Sequence, residues 1–168
     1  MTAQFLPGLP GTGPEPIHFY IKRPTPWSEG AVVQFSGLTR PDWVANLQTG
    51  DGYATKIVRW HNANAVIIVA NGAVYFIRSE LPDEWRCYGS LGIDCAVTPD
   101  GENAVIATDT DLILIDVNGD IVWHRRMLAI DGLEIGNVTN DEIDGRLCYD
   151  PPDGWSSFAV NRSDGNDA

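Results

Sequence analysis

Asn103-Ala104-Val105-Ile106, followed by Leu112-Ile113-Leu114-Ile115 and then Trp123, decides the fold of this chain, because its pattern occurs twice. Asn64-Ala65-Val66-Ile67 carries the same tetrapeptide 39 residues earlier. Val74-Tyr75-Phe76-Ile77 precedes Leu112-Ile113-Leu114-Ile115 by 38 residues, and Trp85 precedes Trp123 by the same 38. Three matches in one order, at one offset to within a residue, mark an internal repeat.

Each copy reads as four short strands. In the clearer one, residues 93–97 lead to a turn at Pro99-Asp100-Gly101, and residues 103–108 return. A tight turn at Asp109-Thr110-Asp111 leads into residues 112–117, and Asn118-Gly119 is a hairpin signal that launches residues 121–125. The earlier copy runs through residues 55–60, 65–70, 74–78 and 85–88, with Asn71-Gly72 as a hairpin turn. Both inner strands of each copy are apolar at nearly every residue, the pattern of strands buried on both faces by stacked sheets.

The flanks read as divergent copies: residues 17–22, 31–35 and 43–48 on one side, and 133–138, 143–149 and 155–160 on the other. No apolar stretch keeps a 3.6-residue period over ten positions, so no long helix is expected. The expectation is one all-β domain over residues 1–168, with units at about 17–50, 54–90, 91–126 and 131–161. Pro and Gly crowd residues 7–16, which predicts an extended lead-in over residues 1–16.

Four-stranded units of this size, with Pro-Asp-Gly ahead of an apolar strand, resemble β-propeller blades. Propellers hold about four to eight blades. About four fit here, which implies β-propeller-like stacking of antiparallel four-stranded sheets in a minimal or incomplete ring. Trp43-Val44-Ala45-Asn46-Leu47-Gln48-Thr49-Gly50, Asp131-Gly132-Leu133 and Gly154-Trp155-Ser156-Ser157-Phe158 are similar to segments of small bacterial proteins that have no assigned activity. That resemblance implies a bacterial origin and a compact domain, and brings no catalytic residue with it.

The 168 residues suffice to bury roughly two-thirds of the unfolded surface. A content of 43% hydrophobic and 20% charged residues is that of a globular chain. The longest apolar run, Ala65-Val66-Ile67-Ile68-Val69-Ala70, has the length of one buried strand. Residues 1–13 hold neither a positive charge nor an apolar block, so no signal peptide is expected and a cytoplasmic location follows by default. The net charge of −12 is lopsided: residues 1–93 hold seven acids and seven bases, residues 94–168 sixteen acids and four arginines. That sign speaks against nucleic acid and against an anionic membrane. It suits a basic protein partner.

Catalytic motifs are not legible. The many acids of the C-terminal half fall at strand ends and in turns, where Asp bonds its own backbone. Asp116-Val117-Asn118-Gly119-Asp120 resembles part of a calcium loop without the closing Glu. A more open acidic loop, Thr139 to Gly145, holds Asp141, Glu142 and Asp144. His18, His61 and His124 stand in no nucleophile motif, and Gly8-Leu9-Pro10-Gly11-Thr12-Gly13 lacks the lysine of a phosphate loop. Cys87, Cys95 and Cys148 have no metal spacing and read as buried thiols. No metal and no cofactor are expected.

Among six tryptophans, Trp85 and Trp123 share a repeat position and read as packing elements. Trp43 lies near Asn46 and Gln48, Trp155 beside Asp153 and Ser156, and Trp27 follows a Pro-rich stretch; an aromatic with amide neighbours suits a sugar or a partner surface. The leading expectation is a non-catalytic protein-interaction module with an acidic C-terminal face. The other is a carbohydrate domain using Trp43 and Trp155 with nearby carboxylates. Candidate binding residues are Trp43, Asn46, Gln48, Asp131, Asp141, Glu142, Asp144 and Trp155. A homodimer that completes one ring is a third expectation.

Overall fold

The computed structural model describes residues 1–21, 28–37, 39–151 and 154–168, so Trp27, Lys22 and Asp153 of the sequence reading lie outside the described residues. The described residues form fifteen strands and no helix, arranged as four sheets of three or four strands. They group into two compact units, Met1–Arg59 with Asn64–Leu91, and Trp60–Ala63 with Gly92–Ala168.

In the first unit, one sheet is ordered β1 (Thr2–Leu6), β3 (Ala31–Ser36), β4 (Trp43–Leu47), β2 (Ile17–Phe19). Residues 2–6, expected in the lead-in, instead pair antiparallel with β3, with Ala3 turned into the core. The short alternation around Ala3 and Phe5 is hidden beside the Pro/Gly-rich run that follows. The antiparallel expectation also needs correcting at β2, which runs parallel to β4, Ile17 opposite Ala45 and Phe19 opposite Leu47. The second sheet is ordered β5 (Thr55–Trp60), β6 (Ala65–Ala70), β7 (Ala73–Arg78), β8 (Trp85–Cys87). Asn71 and Gly72 join β6 to β7 with φ of 47° and 88°, the paired left-handed values of a type I′ turn.

The two sheets of this unit are welded by one apolar cluster. Phe19, Val33, Phe35, Trp43 and Leu47 of the first meet Val66, Ile68, Tyr75 and Ile77 of the second. Trp85 meets Phe19 edge-on at 5.5 Å, the packing role expected of it. Trp43 stacks on Phe35 with centroids 4.0 Å apart, and its indole N–H donates to the Ser79 carbonyl at 3.1 Å.

The second unit repeats the plan. One sheet is ordered β12 (Ile121–Arg125), β11 (Leu112–Asp116), β10 (Asn103–Thr108), β9 (Gly92–Val97); the other is β13 (Leu133–Val138), β14 (Glu142–Asp150), β15 (Gly154–Asn161). Val105, Ala107, Leu112 and Leu114 pack against Leu133, Ile143, Leu147 and Val160. Trp123 donates its indole N–H to the Arg162 carbonyl at 2.7 Å, and Trp60 donates to the Gly101 carbonyl at 2.8 Å. Asn118-Gly119 does not form the two-residue turn that its type suggests. The Gly119 N–H donates to the Asp116 carbonyl, only Gly119 of the pair has positive φ (78°), and the register slips between Leu114 and Ile115. The cause is Asp116, whose carboxylate takes the N–H groups of Asn118 and Asp120 at 2.8 and 3.0 Å and keeps Asn118 right-handed.

The Trp43 bond is directional in a core that is otherwise apolar. Trp43→Phe keeps the ring and strips the donor from a buried carbonyl, so we expect a loss of about 1–3 kcal/mol in urea unfolding. Ser79→Ala should cost nothing or stabilise, because the buried Ser79 hydroxyl has no hydrogen-bond partner among the described residues. Equal losses in both variants would contradict the assignment.

Candidate functional site, an acidic and apolar surface of the second unit

The connection from β12 to β13, residues 126–132, is strapped down at both ends by backbone bonds. The Leu128 and Ala129 N–H groups donate to the Thr110 carbonyl at 2.8 and 3.1 Å, and Gly132 donates to the Asp109 carbonyl at 2.8 Å. On the other side, Ile130 and Asp131 donate to the Cys148 carbonyl at 2.8 and 3.2 Å. Leu128 and Ala129 turn inward and are buried, which is enough to anchor the loop.

The remaining apolar residues do not turn inward. Met127 is 83% exposed, Ile130 62% and Tyr149, beside Cys148, 52%. Met127 also holds a left-handed backbone, φ 53°, a conformation costing a non-glycine residue of order 1 kcal/mol. What holds it there is Asp111, whose carboxylate accepts the Met127 N–H at 2.9 Å, the Thr110 hydroxyl at 2.7 Å and His124 Nε2 at 2.7 Å. Burial pushes the Asp111 carboxyl up, yet these donors outweigh it and leave its pKa below the usual value. Its neighbour Asp109 goes the other way: burial, and then the charge of Asp131, hold its pKa above the usual range. Two carboxylates are thus set against each other beside three exposed apolar side chains.

Of the residues singled out in the sequence, only Asp131 belongs to this surface. Asp144 caps the irregular stretch of β13 by accepting the Asn137 N–H at 3.0 Å, and Glu142 is held through its backbone by the Thr139 hydroxyl at 2.8 Å. Asp141 lines a separate cleft of ≈ 360 Å³ with Asn140 and Arg162. Asn46 and Gln48 are in the first unit, where the Asn46 amide is buried and Gln48 Oε1 accepts the Ile21 N–H at 2.9 Å.

The two tryptophans expected as a sugar platform sit in different surroundings. Trp43 is 4% exposed, with Phe35 on its face and Ser79 on its nitrogen, so no ligand can stack on it. Trp155 has the Arg146 guanidinium over its ring at 5.2 Å, and a Cβ on Gly132 would stand 3.1 Å from its edge. Trp155 is nonetheless only half-buried. The sequence reading missed Met127 and Ile130, although Met127-Leu128-Ala129-Ile130 is an apolar run left in the gap between two repeat units.

Beside the Asp141 cleft, Asp100 forms the tightest polar knot of the unit. Its carboxylate accepts the Thr98 hydroxyl at 2.6 Å and the Glu102 N–H at 3.0 Å, and it pairs with Arg162; the Asp100 N–H donates to Asn140 Oδ1 at 3.2 Å. The Thr98 and Arg162 bonds lower its pKa to about 2. Among the described residues, no three His, Cys, Asp or Glu side chains gather as a metal site. No protein-family model matches the chain, and no curated protein is significantly similar to it.

The Asp100 knot predicts an acid response of known sign. The folded carboxyl, at about 2, is more acidic than an unfolded Asp near ~3.9, so its contribution is complete above about pH 4 and lost as the pH falls through about 2. The gap in urea midpoint between the wild type and Asp100→Asn should therefore close across that window. A gap that stays constant down to about pH 2 would show that Asp100 stabilises by shape and not by charge.

Proposed function

We propose that this chain is a protein-binding module whose second unit docks a basic segment of a partner on the Asp109–Asp131 side of the 126–132 loop. The observation that carries the reading is Met127, an apolar side chain held out to solvent in a left-handed backbone by a carboxylate. Strain that the fold spends bonds to maintain points to a use for the residue. Exposed apolar side chains flanked by charge are the composition of a contact surface, with Met127, Ile130 and Tyr149 as anchors.

The charge supplies the class of partner. Sixteen acids face four arginines in residues 94–168, and Arg125, Arg146 and Arg162 already lie against Asp167, Glu134 and Asp100. A lysine or arginine delivered between Asp109 and Asp131 relieves their mutual repulsion, which makes the differential interaction favourable at that spot. The burial of Trp43 removes it as a stacking platform, and Arg146 already lies over the ring of half-buried Trp155, which weakens the sugar reading built on these two residues.

The partner captured on the immobilised protein should release as salt rises through about 0.15 M and beyond. Asp109→Lys with Asp131→Lys should abolish capture, whereas Asp42→Lys with Asp83→Lys, the same charge change on exposed acids of the first unit, should leave it standing. Salt-insensitive capture, or equal loss in both double variants, would refute docking at this surface.

A further inference from the structure

We propose that the first unit carries a binding site of a different kind, a cleft that takes a neutral saccharide ring. The cleft measures ≈ 530 Å³ and is lined by Glu15, His18, Tyr20, Glu29 and Asn46, with Leu9 and Pro16 of the lead-in closing one wall. That volume lies in the range of about 300–1,000 Å³ typical of small-molecule sites.

The chemistry of the lining is set by Asn46, which is 4% exposed at the floor. The Gly30 N–H can only donate, and it donates to Asn46 Oδ1 at 2.8 Å, which fixes which end of the amide is oxygen. Both hydrogens of Asn46 Nδ2 then go to acceptors, the Ser28 carbonyl at 3.0 Å and His18 Nδ1 at 3.1 Å. His18 Nδ1 is therefore bare, and the ring carries its proton on Nε2. The result is an imidazole ring held by a buried amide, with its Nε2–H left as a donor.

Around that donor stand groups of the opposite kind. Glu15 and Glu29 supply carboxylate acceptors, and Glu29 is steadied by the Leu9 N–H at 3.3 Å. Tyr20 follows His18 on the same face, the two rings parallel within 6° and 6.2 Å apart, so a flat apolar surface adjoins the polar groups. Two carboxylates repel an anion, and a cation would engage them but leave the His18 N–H donor without an acceptor. A hydroxyl both donates and accepts, so it satisfies a carboxylate and the His18 N–H together. A ring bearing several hydroxyls, with C–H edges to lay on Tyr20, matches the whole set. The site shares no residue with the docking surface, and either can fail without the other.

The test is an aromatic ¹³C NMR titration of the whole chain with glucose, galactose, mannose, N-acetylglucosamine and lactose, and with choline and acetate as charged probes. At least one neutral sugar should shift the His18 and Tyr20 ring signals with a Kd of about 1 mM or tighter. Binding should weaken about tenfold or more in Glu15→Gln and in Tyr20→Leu, two surface changes whose folding is verified from the amide spectrum. Silence from every sugar, a response to choline or acetate alone, or sugar shifts that survive both variants would overturn the proposal.

Discussion

A sheet whose inner strands are apolar on both faces cannot stand in water by itself. Every residue of β6 is buried, as are Ala73 to Ile77 of β7, Ala104 to Ala107 of β10 and Leu112 to Ile115 of β11. With no helix among the described residues to cover them, sheets must cover sheets, and each unit accordingly pairs two. Apolar burial supplies the drive for this but no direction. Direction comes from indole N–H groups that reach a backbone carbonyl outside their own sheet: Trp43 to Ser79 in the first unit and Trp123 to Arg162 in the second. If the sheets slip, a buried carbonyl at Ser79 and a half-buried one at Arg162 lose their donors.

Among the acids of the second unit, two groups stand out. Asp100, Asp111, Asp116, Asp144 and Asp164 are spent on turns, each accepting backbone N–H groups that the chain reversal would leave open. Asp109 is partly buried and faces the charge of Asp131, and burial first, then that charge, raises its pKa. That charge falls in the same loop as the strained Met127 and the exposed Ile130. Repulsion, strain and exposed apolar area coincide in one loop, and the proposed basic partner would relieve the first while covering the third.

The repeat made the four-sheet plan legible, because period-two burial and Asn-Gly turns act locally. What escaped was non-local. β1 is a strand because β3 offers it an edge, and β2 is parallel because it pairs with β4 and not with its neighbour in sequence. Asn118-Gly119 bent differently because the Asp116 carboxylate took the N–H groups of Asn118 and Asp120. Trp43 and Trp155 looked available beside polar neighbours, and only packing shows Phe35 and Arg146 already in place. The expected sites shared that weakness: residue type was visible, exposure was not. Asp131 meets Asp109, 22 positions away in sequence, and no local pattern announces that pairing.

The account stands on the claim that the acidic loop is held against stability. The most direct measurement is the urea midpoint of Asp109→Asn across pH. Because burial and Asp131 raise the folded pKa of Asp109, its ionised form costs stability at neutral pH and that cost vanishes as the carboxyl protonates. The variant should therefore be more stable than the wild type near pH 7, with the advantage fading as the pH falls toward about 4 and absent below it. A variant less stable than the wild type at neutral pH would show that Asp109 serves the fold, and the surface would lose its claim to be held for binding.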